Sequence, residues 1–471
     1  MKFAPVNIKE VSSAYQCRFK PSAYMNRGRR AMIDIGRKGG LSGSIVDIVK
    51  NVYRPGIFKR IFISDLAHGK QYITASSMLS QDASMFSKIL STKMTDNIEP
   101  MILRPKQILV SCAGSIGDTR LIGNDLDGVV GSQDIIRVEP FDNNFGFVYA
   151  YLSCPTVYAY IQSLVYGSVV SRIEPEGIQG IPLIKINSET TSSIHDAVNS
   201  SFVLRNEASQ MLREVSEKLY LYTGLEPLTS AEYDTFGPRA YGREVSCFSR
   251  NIKDIGTTSI NAFNNSERIR SIQRRLLHGS RPIKELIEDG KTFSSGSLPS
   301  IEVKPGHGIM LINQKDIFDT IIKGKYISGK NANLDDLVKY GEILIASDGT
   351  LGENEIFCRT VFANEDLAGA FVSSHFLRMR SNGVVPAGYL YSWLNSDYGF
   401  RLIRNTQAGT KICHPIQKMF QNIPVPIIDK DKMDEIDLMV RTAFTKRHQA
   451  NNLEKEAIQM VENEIDKWNK N

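Results

Sequence analysis

The sequence predicts an α+β protein: two tandem α/β domains, each followed by a long α-helix, with the two helices packed together as an antiparallel coiled coil. Three observations carry that expectation. First, the stretch Tyr149 to Leu219 recurs without a gap at Tyr391 to Val461, 242 positions later. Second, each copy is preceded by short strand-forming runs punctuated by glycine turns. Third, each copy ends in a long span free of proline and glycine, at 188–222 and 430–467. A period this long exceeds the roughly 20–50 residues of a solenoid repeat, so a whole domain with its helix was duplicated. The expected boundaries are a first domain at 1–187, a central spacer helix at 188–225, a second domain at 226–429 and a C-terminal spacer helix at 430–471. Whatever the protein does, it is built to do twice.

The duplicated frame shows element by element. A short helix or turn at Ser44–Val49 matches one within 281–289, with Ile45, Asp47, Ile48 and Val49 answering Ile283, Glu285, Leu286 and Ile287. The strand Gln71–Thr74 matches Met310–Asn313. Next, Gln107–Asp118 (QILVSCAGSIGD) matches Glu342–Glu353 (EILIASDGTLGE): four strand-forming residues run into a turn with two glycines three positions apart. A further strand is expected at Gly131–Arg137 and at Val372–Arg378. One amphipathic helix should then span Phe145 to Val165, and its partner Ala387 to Asn405. The Gly167-Ser168 turn matches Gly409-Thr410, and Ile181-Pro182 matches Ile423-Pro424.

The long helix at 188–222 has Ser188 as its expected N-cap and Gly224 as its stop. Ile194, Val198, Leu212, Val215 and Leu219 recur at the spacing of a packing stripe. In the second copy Ile436, Val440, Ala443, Ala450, Ala457 and Val461 do the same, Arg447 matches Arg205, and Glu454 stands where Leu212 does. The segment 226–254, rich in Gly, Pro, Ser and Arg, reads as a connection.

Bulk properties bound the function. The chain has 471 residues, 42% hydrophobic and 23% charged, the composition of a globular protein with a sizeable core. It has no apolar run of membrane-spanning length and no signal-peptide pattern at its start. Six scattered cysteines without a CxxC pair suit a reducing cytoplasm, and Cys413-His414 lacks a second ligand pair. The net charge of +6 is unevenly placed: from Arg18 to Arg60, eleven basic residues face only Asp34 and Asp47. A parallel cluster (Arg268, Arg270, Arg274, Arg275, Arg281, Lys284) follows in the second domain. Basic residues gathered this way are the footprint of a polyanionic partner.

Catalytic motifs are missing. Gly114-Ser-Ile-Gly117 lacks the flanks of a dinucleotide loop, and there is no phosphate loop, GxSxG or HExxH. A methyltransferase's glycine-rich cofactor loop and its Asn/Asp-Pro-Pro-aromatic tetrapeptide are likewise lacking. The two copies share a frame but not acids, and they differ in the polar residues between: Ser132-Gln133 against Ser373-Ser374, Arg172 against His414. Equal scaffolds with unequal polar loops suit a reader of two different short base sequences, since base edges are told apart by such side chains while positive charge holds the phosphates. The candidate contacts to double-stranded DNA are Arg54, Lys59, Arg60, Ser115, Gln133, Ser168 and Arg172 in the first copy. In the second they are Arg274, Arg275, Lys291, Lys315, Thr350, Lys411 and His414. No catalytic or metal-binding residue is expected.

On these residues the chain resembles the specificity (S) subunits of type I restriction–modification enzymes. The resemblance lies in Ile108–Gly117 with Gly131-Ser-Gln133, given again as Ile343–Gly352 with Val372-Ser-Ser374, followed each time by the Gly-Ser/Thr turn, the Ile-Pro strand and the long helix. The second copy departs from it in lacking the glutamine. The resemblance implies two target-recognition domains on a non-catalytic, cytoplasmic subunit that binds two methyltransferase (M) subunits and restriction/translocase (R) subunits. S-adenosylmethionine, ATP and magnesium are then expected on those partners and no cofactor on this chain. The alternative is a stand-alone nucleic-acid-binding module or phage-defence adaptor with the same fold.

Each long helix, at about 1.5 Å per residue, would span roughly 50 Å and set the distance between two half-sites. Inserting four residues between Arg213 and Glu214 should therefore lengthen the unread spacer and leave both half-sites unchanged, as read by methylome sequencing. Exchanging 60–185 with 300–425 should exchange the half-sites. An insertion that alters the recognised bases, or leaves the spacing untouched, contradicts the helix as ruler.

Overall fold

Short strands and two long helices make up the chain in the computed structural model, which describes residues 6–12, 20–63, 65–167, 169–228, 248–255, 258–296, 298, 301–330 and 332–470. Two compact units emerge: Met1–Asn206 with Gln449–Asn471, and Glu207–His448.

The first unit runs α1 (Arg27–Arg37), β1 (Leu41–Ser44), β2 (Val49–Tyr53), β3 (Phe62–Ile63), β4 (Gly69–Ile73), β5 (Lys88–Ser91), β6 (Ile108–Ser111), β7 (Thr119–Leu121), β8 (Val130–Gly131), β9 (Ile135–Pro140), α2 (Phe145–Ser153), α3 (Pro155–Ser163), α4 (Pro175–Gln179), β10 (Pro182–Ile184) and then α5 (Ser188–Thr223). Strands β2-β9-β6-β7 form one antiparallel sheet, and β3-β5-β4-β8 a second in which β4 and β8 run parallel. A separate pair joins β1 to β10. Helix α1 starts at Asn26, whose side chain accepts from the Gly28 and Arg29 amides. It lies so close to α3 that a Cβ on Gly28 would stand 2.3 Å from the Thr156 carbonyl oxygen, which only glycine avoids.

The second unit repeats this order: α6 (Glu267–Arg275), β11 (Ser280–Pro282), β12 (Ile309–Ile312), β13 (Lys325–Ile327), β14 (Ile343–Ala346), β15 (Thr360–Phe362), β16 (Phe371–Val372), β17 (Phe376–Met379), α7 (Ala387–Asn395), α8 (Asp397–Arg404), β18 (Gln407–Ala408), β19 (His414–Pro415), α9 (Gln417–Phe420), β20 (Pro424–Pro426) and α10 (Lys430–Lys470). Its antiparallel sheet is β15-β14-β17, and its second sheet, β13-β12-β16, again holds a parallel pair, β12 with β16. Individual bonds repeat as well. The Tyr151 hydroxyl donates to the Pro182 carbonyl, and Trp393, 242 positions on, donates from Nε1 to the Pro424 carbonyl. The Gly146 amide donates to His195, and the Gly388 amide to Asp437.

Three expectations need correction. The helix expected at Phe145–Val165 is two helices, because Pro155 forces Cys154 into an extended conformation (φ −69°, ψ 147°). In the second copy, expected as one helix to Asn405, Ser396 makes the same break without proline and caps α8 by accepting from the Gly399 amide. Nor is α2 amphipathic: Phe145 to Leu152 are all buried, since the helix is enclosed on every side. The single strand expected at Gly131–Arg137 is β8 and β9, which belong to different sheets, with the chain crossing between them at Ser132–Asp134; β16 and β17 divide Val372–Arg378 in the same way. The cap of α5 is Asn187, not Ser188: its side chain accepts from the Thr190 amide at 2.7 Å. Gly224 follows the helix with φ +65°, the conformation a stop requires. The expected connection at 226–254 lies largely outside the described residues, at 229–247.

Both long helices contribute to both units. In the first, Ile194 and Val198 of α5 share a core with Ala457, Val461 and Ile465 of α10 and with Phe145 and Val148. Arg205 bridges Glu454, so the acid opposite the Leu212 position is buried and paired. In the second unit Val215 and Leu219 pack with Met433, Ile436, Val440 and Phe444. There Glu207 pairs with Lys446 and Lys218 with Glu435, which sets the two helices antiparallel.

A fully buried arginine anchors each unit. Arg137 on β9 donates to the carbonyls of Gly131 (2.7 Å), Ser132 (3.0 Å), Ile135 (2.6 Å) and Met101 (3.4 Å), and burial pushes its guanidinium down to about 10. Arg378 on β17 instead meets a carboxylate, Glu342, at 2.8 Å, with both side chains fully shielded from solvent. Glu342 also takes Arg380 at 2.7 Å. Removing one partner of such a pair strands the other's charge, at a cost of about 3–5 kcal/mol. Glu342→Ala should accordingly lower the stability of the second unit by that amount in urea unfolding; a loss below about 1 kcal/mol would show that the pair is dispensable.

Candidate nucleic-acid interface

In each unit three segments meet where the antiparallel sheet ends. In the first they are the turn after β6 (113–117), the crossing from β8 to β9 (132–134) and the hairpin closed by Tyr166 and Arg172. Backbone bonds lock them together: Cys112 N to Asp134 O (3.1 Å), Ile173 N to Cys112 O (3.2 Å), and 2.9 Å bonds in both directions between Tyr166 and Arg172. In the second unit Ser347 N donates to His375 O (2.9 Å), Gly349 and Cys413 exchange bonds of 3.3 and 2.8 Å, and β18 pairs with β19. The hairpins depend on glycine. Gly167 and Gly409 have φ of +90° and +107°, and a Cβ there would stand 2.3 and 2.2 Å from the Val170 and Ile412 carbonyl oxygens.

On this common frame the charges differ. In the first unit Asp134 faces Arg172 at 3.7 Å, both partly exposed. Behind them Arg54 pairs with Glu174 at 3.2 Å, and the Tyr166 hydroxyl donates to the same carboxylate. Burial pushes the neighbouring Cys112 thiol up, opposed by Arg54. Gln133 is half-buried, and its Oε1 finds no donor among the described residues.

In the second unit the carboxylate sits on a different segment. Asp348, in the turn after β14, receives the Nδ1 atoms of both His375 and His414, one on each oxygen. Those rings are about 60% exposed (61% and 60%), whereas Asp348 is 21% exposed. The Gln314 side chain clamps the Asp348 backbone, donating to its carbonyl at 2.5 Å and accepting from its amide at 3.3 Å. Further along the turn, burial would raise the Glu353 carboxyl, but Arg401 and Arg404 hold it below its usual range. Among the described residues no cluster of His, Cys, Asp or Glu is disposed to hold a metal ion, and no helix is long and apolar enough to cross a membrane.

The structure gathers Ser115, Gln133 and Arg172 at the first junction. It gathers Thr350, Lys411 and His414 at the second, with exposed Lys315 next to the clamping Gln314. Arg54 lies behind the first junction, held by Glu174. Lys59 and Arg60 are exposed in the segment between β2 and β3. Arg274 pairs with Glu267, Arg275 meets the Tyr398 hydroxyl, and Lys291 is exposed after a short 3-10 turn. Much of the basic segment is also paired internally: Arg30 and Arg37 reach Glu10, and Lys50 reaches Asp142. Ser168 lies outside the described residues. Sequence reasoning missed Asp134, Asp348, His375 and Gln314. The signal was there in the aligned copies, where Ala113, Asp134 and Arg172 become Asp348, His375 and His414, a relocation of charge among three linked positions.

No protein-family model matches the chain, and no curated protein matches it. Among solved structures, it is similar to the S subunit of a type I restriction-modification system from M. genitalium, at 12% identity, over 90% of this chain and 94% of that one, with a TM-score of 0.33. It is also similar to the HsdS subunit from Thermoanaerobacter tengcongensis (12% identity, 90% and 94% covered, TM-score 0.27). A chain from a type I R-M complex gives 12% identity, 90% and 97% covered and a TM-score of 0.27.

The glycine hinge is testable without knowing the ligand. Gly409→Ala places a side chain in a region that costs about 1–3 kcal/mol and against a carbonyl oxygen. Amide exchange should speed up at Ala408 and His414 and stay unchanged in β14 and β17. Unaltered exchange across the hairpin would contradict the requirement for glycine.

Proposed function

We propose that the chain is the DNA-recognition (specificity) subunit of a type I restriction–modification complex, each unit reading one half of a bipartite site. The observation that carries this reading is the duplicated junction: one backbone frame, built twice, bearing different side chains at the same three positions. A duplicated enzyme would keep its reacting groups; a duplicated reader would keep its frame and vary the side chains that meet bases. Arginine at the first junction offers donors alone, while histidine at the second can also accept, so the two halves of the site should differ.

In this reading the chain performs no chemistry. Methyl transfer, translocation and cleavage belong to partners, two methyltransferase subunits and restriction/translocase subunits, which would hold S-adenosylmethionine, ATP and magnesium. The purified chain with DNA and S-adenosylmethionine should transfer no methyl group until a methyltransferase subunit is added.

Duplex affinity should fall with salt by about 0.9 log units per phosphate contact for each log unit of salt. Lys59 and Arg60 are exposed and make no bond among the described residues, so neutralising both should weaken binding to all sequences alike and flatten that slope. Arg54 belongs to the packing behind the hairpin, and replacing it should disturb selectivity rather than the slope. An affinity indifferent to salt and to the double variant would contradict DNA binding through this face.

A further inference from the structure

Asp348, His375 and His414 form a built arrangement that the general reading does not use. Three chain segments far apart in sequence converge on one carboxylate, and the turn bearing it is fixed by the Gln314 amide on both its backbone N–H and its carbonyl. A carboxylate can only accept, so each ring nitrogen facing Asp348 must carry the proton. In the neutral ring that leaves Nε2 as an acceptor. Neither Nε2 is engaged by any described residue, and both rings are largely exposed. A lone surface histidine samples several rotamers and both tautomers; this pair is restricted in both respects.

We propose that His375 and His414 are the specificity-determining residues of the second unit, and that Asp348 is the positioning residue that fixes them as two outward acceptors. The bases they select are those offering an exocyclic amino donor in the major groove, adenine through N6 or cytosine through N4. The first junction carries the opposite chemistry at the equivalent position, the donor-only guanidinium of Arg172, which suits guanine O6 and N7. The missing glutamine at Ser374 therefore does not leave the second unit mute; the reading function has moved one residue along, to His375.

This inference rests on the DNA-reading assignment, and the experiment separates the two. The full chain is used to select duplexes from a randomised library, alongside His375→Ala, His414→Ala and Asp348→Asn, each checked for folding by circular dichroism. The expected wild-type result is a bipartite sequence with adenine or cytosine at two positions of one half. Each alanine variant should lose preference at one of those positions by roughly fivefold or more, with the other half-site intact. Asp348→Asn, which cannot accept equally from two rings, should relax both positions together while overall affinity changes little. A wild-type chain that selects a bipartite sequence which all three variants also select overturns the histidine assignment alone. A wild-type chain that enriches no sequence overturns the DNA reading, and the proposal with it. If the alanine variants behave as expected but Asp348→Asn matches wild type, the positioning role of the carboxylate is overturned.

Discussion

Each unit depends on one buried guanidinium at the point where the chain leaves one sheet and enters the other. Arg137 and Arg378 occupy equivalent places on β9 and β17, and neither is exposed. A buried cation is tolerated only where its donors are matched by acceptors. Arg137 meets that condition at its two terminal nitrogens with four carbonyls, among them Gly131 and Ser132 at the crossing itself, while its Nε finds no acceptor among the described residues. The charge is thus what pins the crossing, and with it the orientation of Gln133 and Asp134. In the second unit Arg378 takes the carbonyls of Asp336 and Leu337 and the Glu342 carboxylate instead. Two solutions to one solvation problem give the same backbone.

That constancy lets the exposed residues vary. The turn after β6 or β14, the crossing and the glycine hairpin are tied by backbone hydrogen bonds that do not depend on side-chain identity. Polar residues at the junction can therefore change without moving the frame, and the copies show how far: an Asp–Arg pair in one, an Asp with two His in the other. A carboxylate is kept in both, on different segments, and in both it restrains the side chain at position 172 or 414.

Much of this was legible in the residues. The duplication, the strand runs at Ile108 and Ile343 and the two long helices follow from repeat spacing and periodicity, which local chemistry fixes. The break at Cys154 was written in Pro155, yet its counterpart at Ser396 was not, because there a serine hydroxyl does what proline does by steric exclusion. The division of β8 from β9 was hidden since both pieces are apolar, and only tertiary pairing assigns them to different sheets. For the site, Arg172 and His414 could be named from the repeat. Asp348 and His375 also differ between the aligned copies, but their role comes from a meeting of three segments that sequence distance conceals, so only the structure shows that those differences belong together. Arg54, conspicuous as a charge, is held behind the hairpin by Glu174, a partner 120 positions away.

The central claim is that the three linked junction positions determine which bases each unit reads. The most direct measurement grafts the second set onto the first frame, Ala113→Asp with Asp134→His and Arg172→His, and selects DNA from a randomised duplex library. The account predicts that the first half-site changes toward the base preference of the second, while the second half-site and the spacing stay as they were. A selected sequence unchanged in both halves would contradict it.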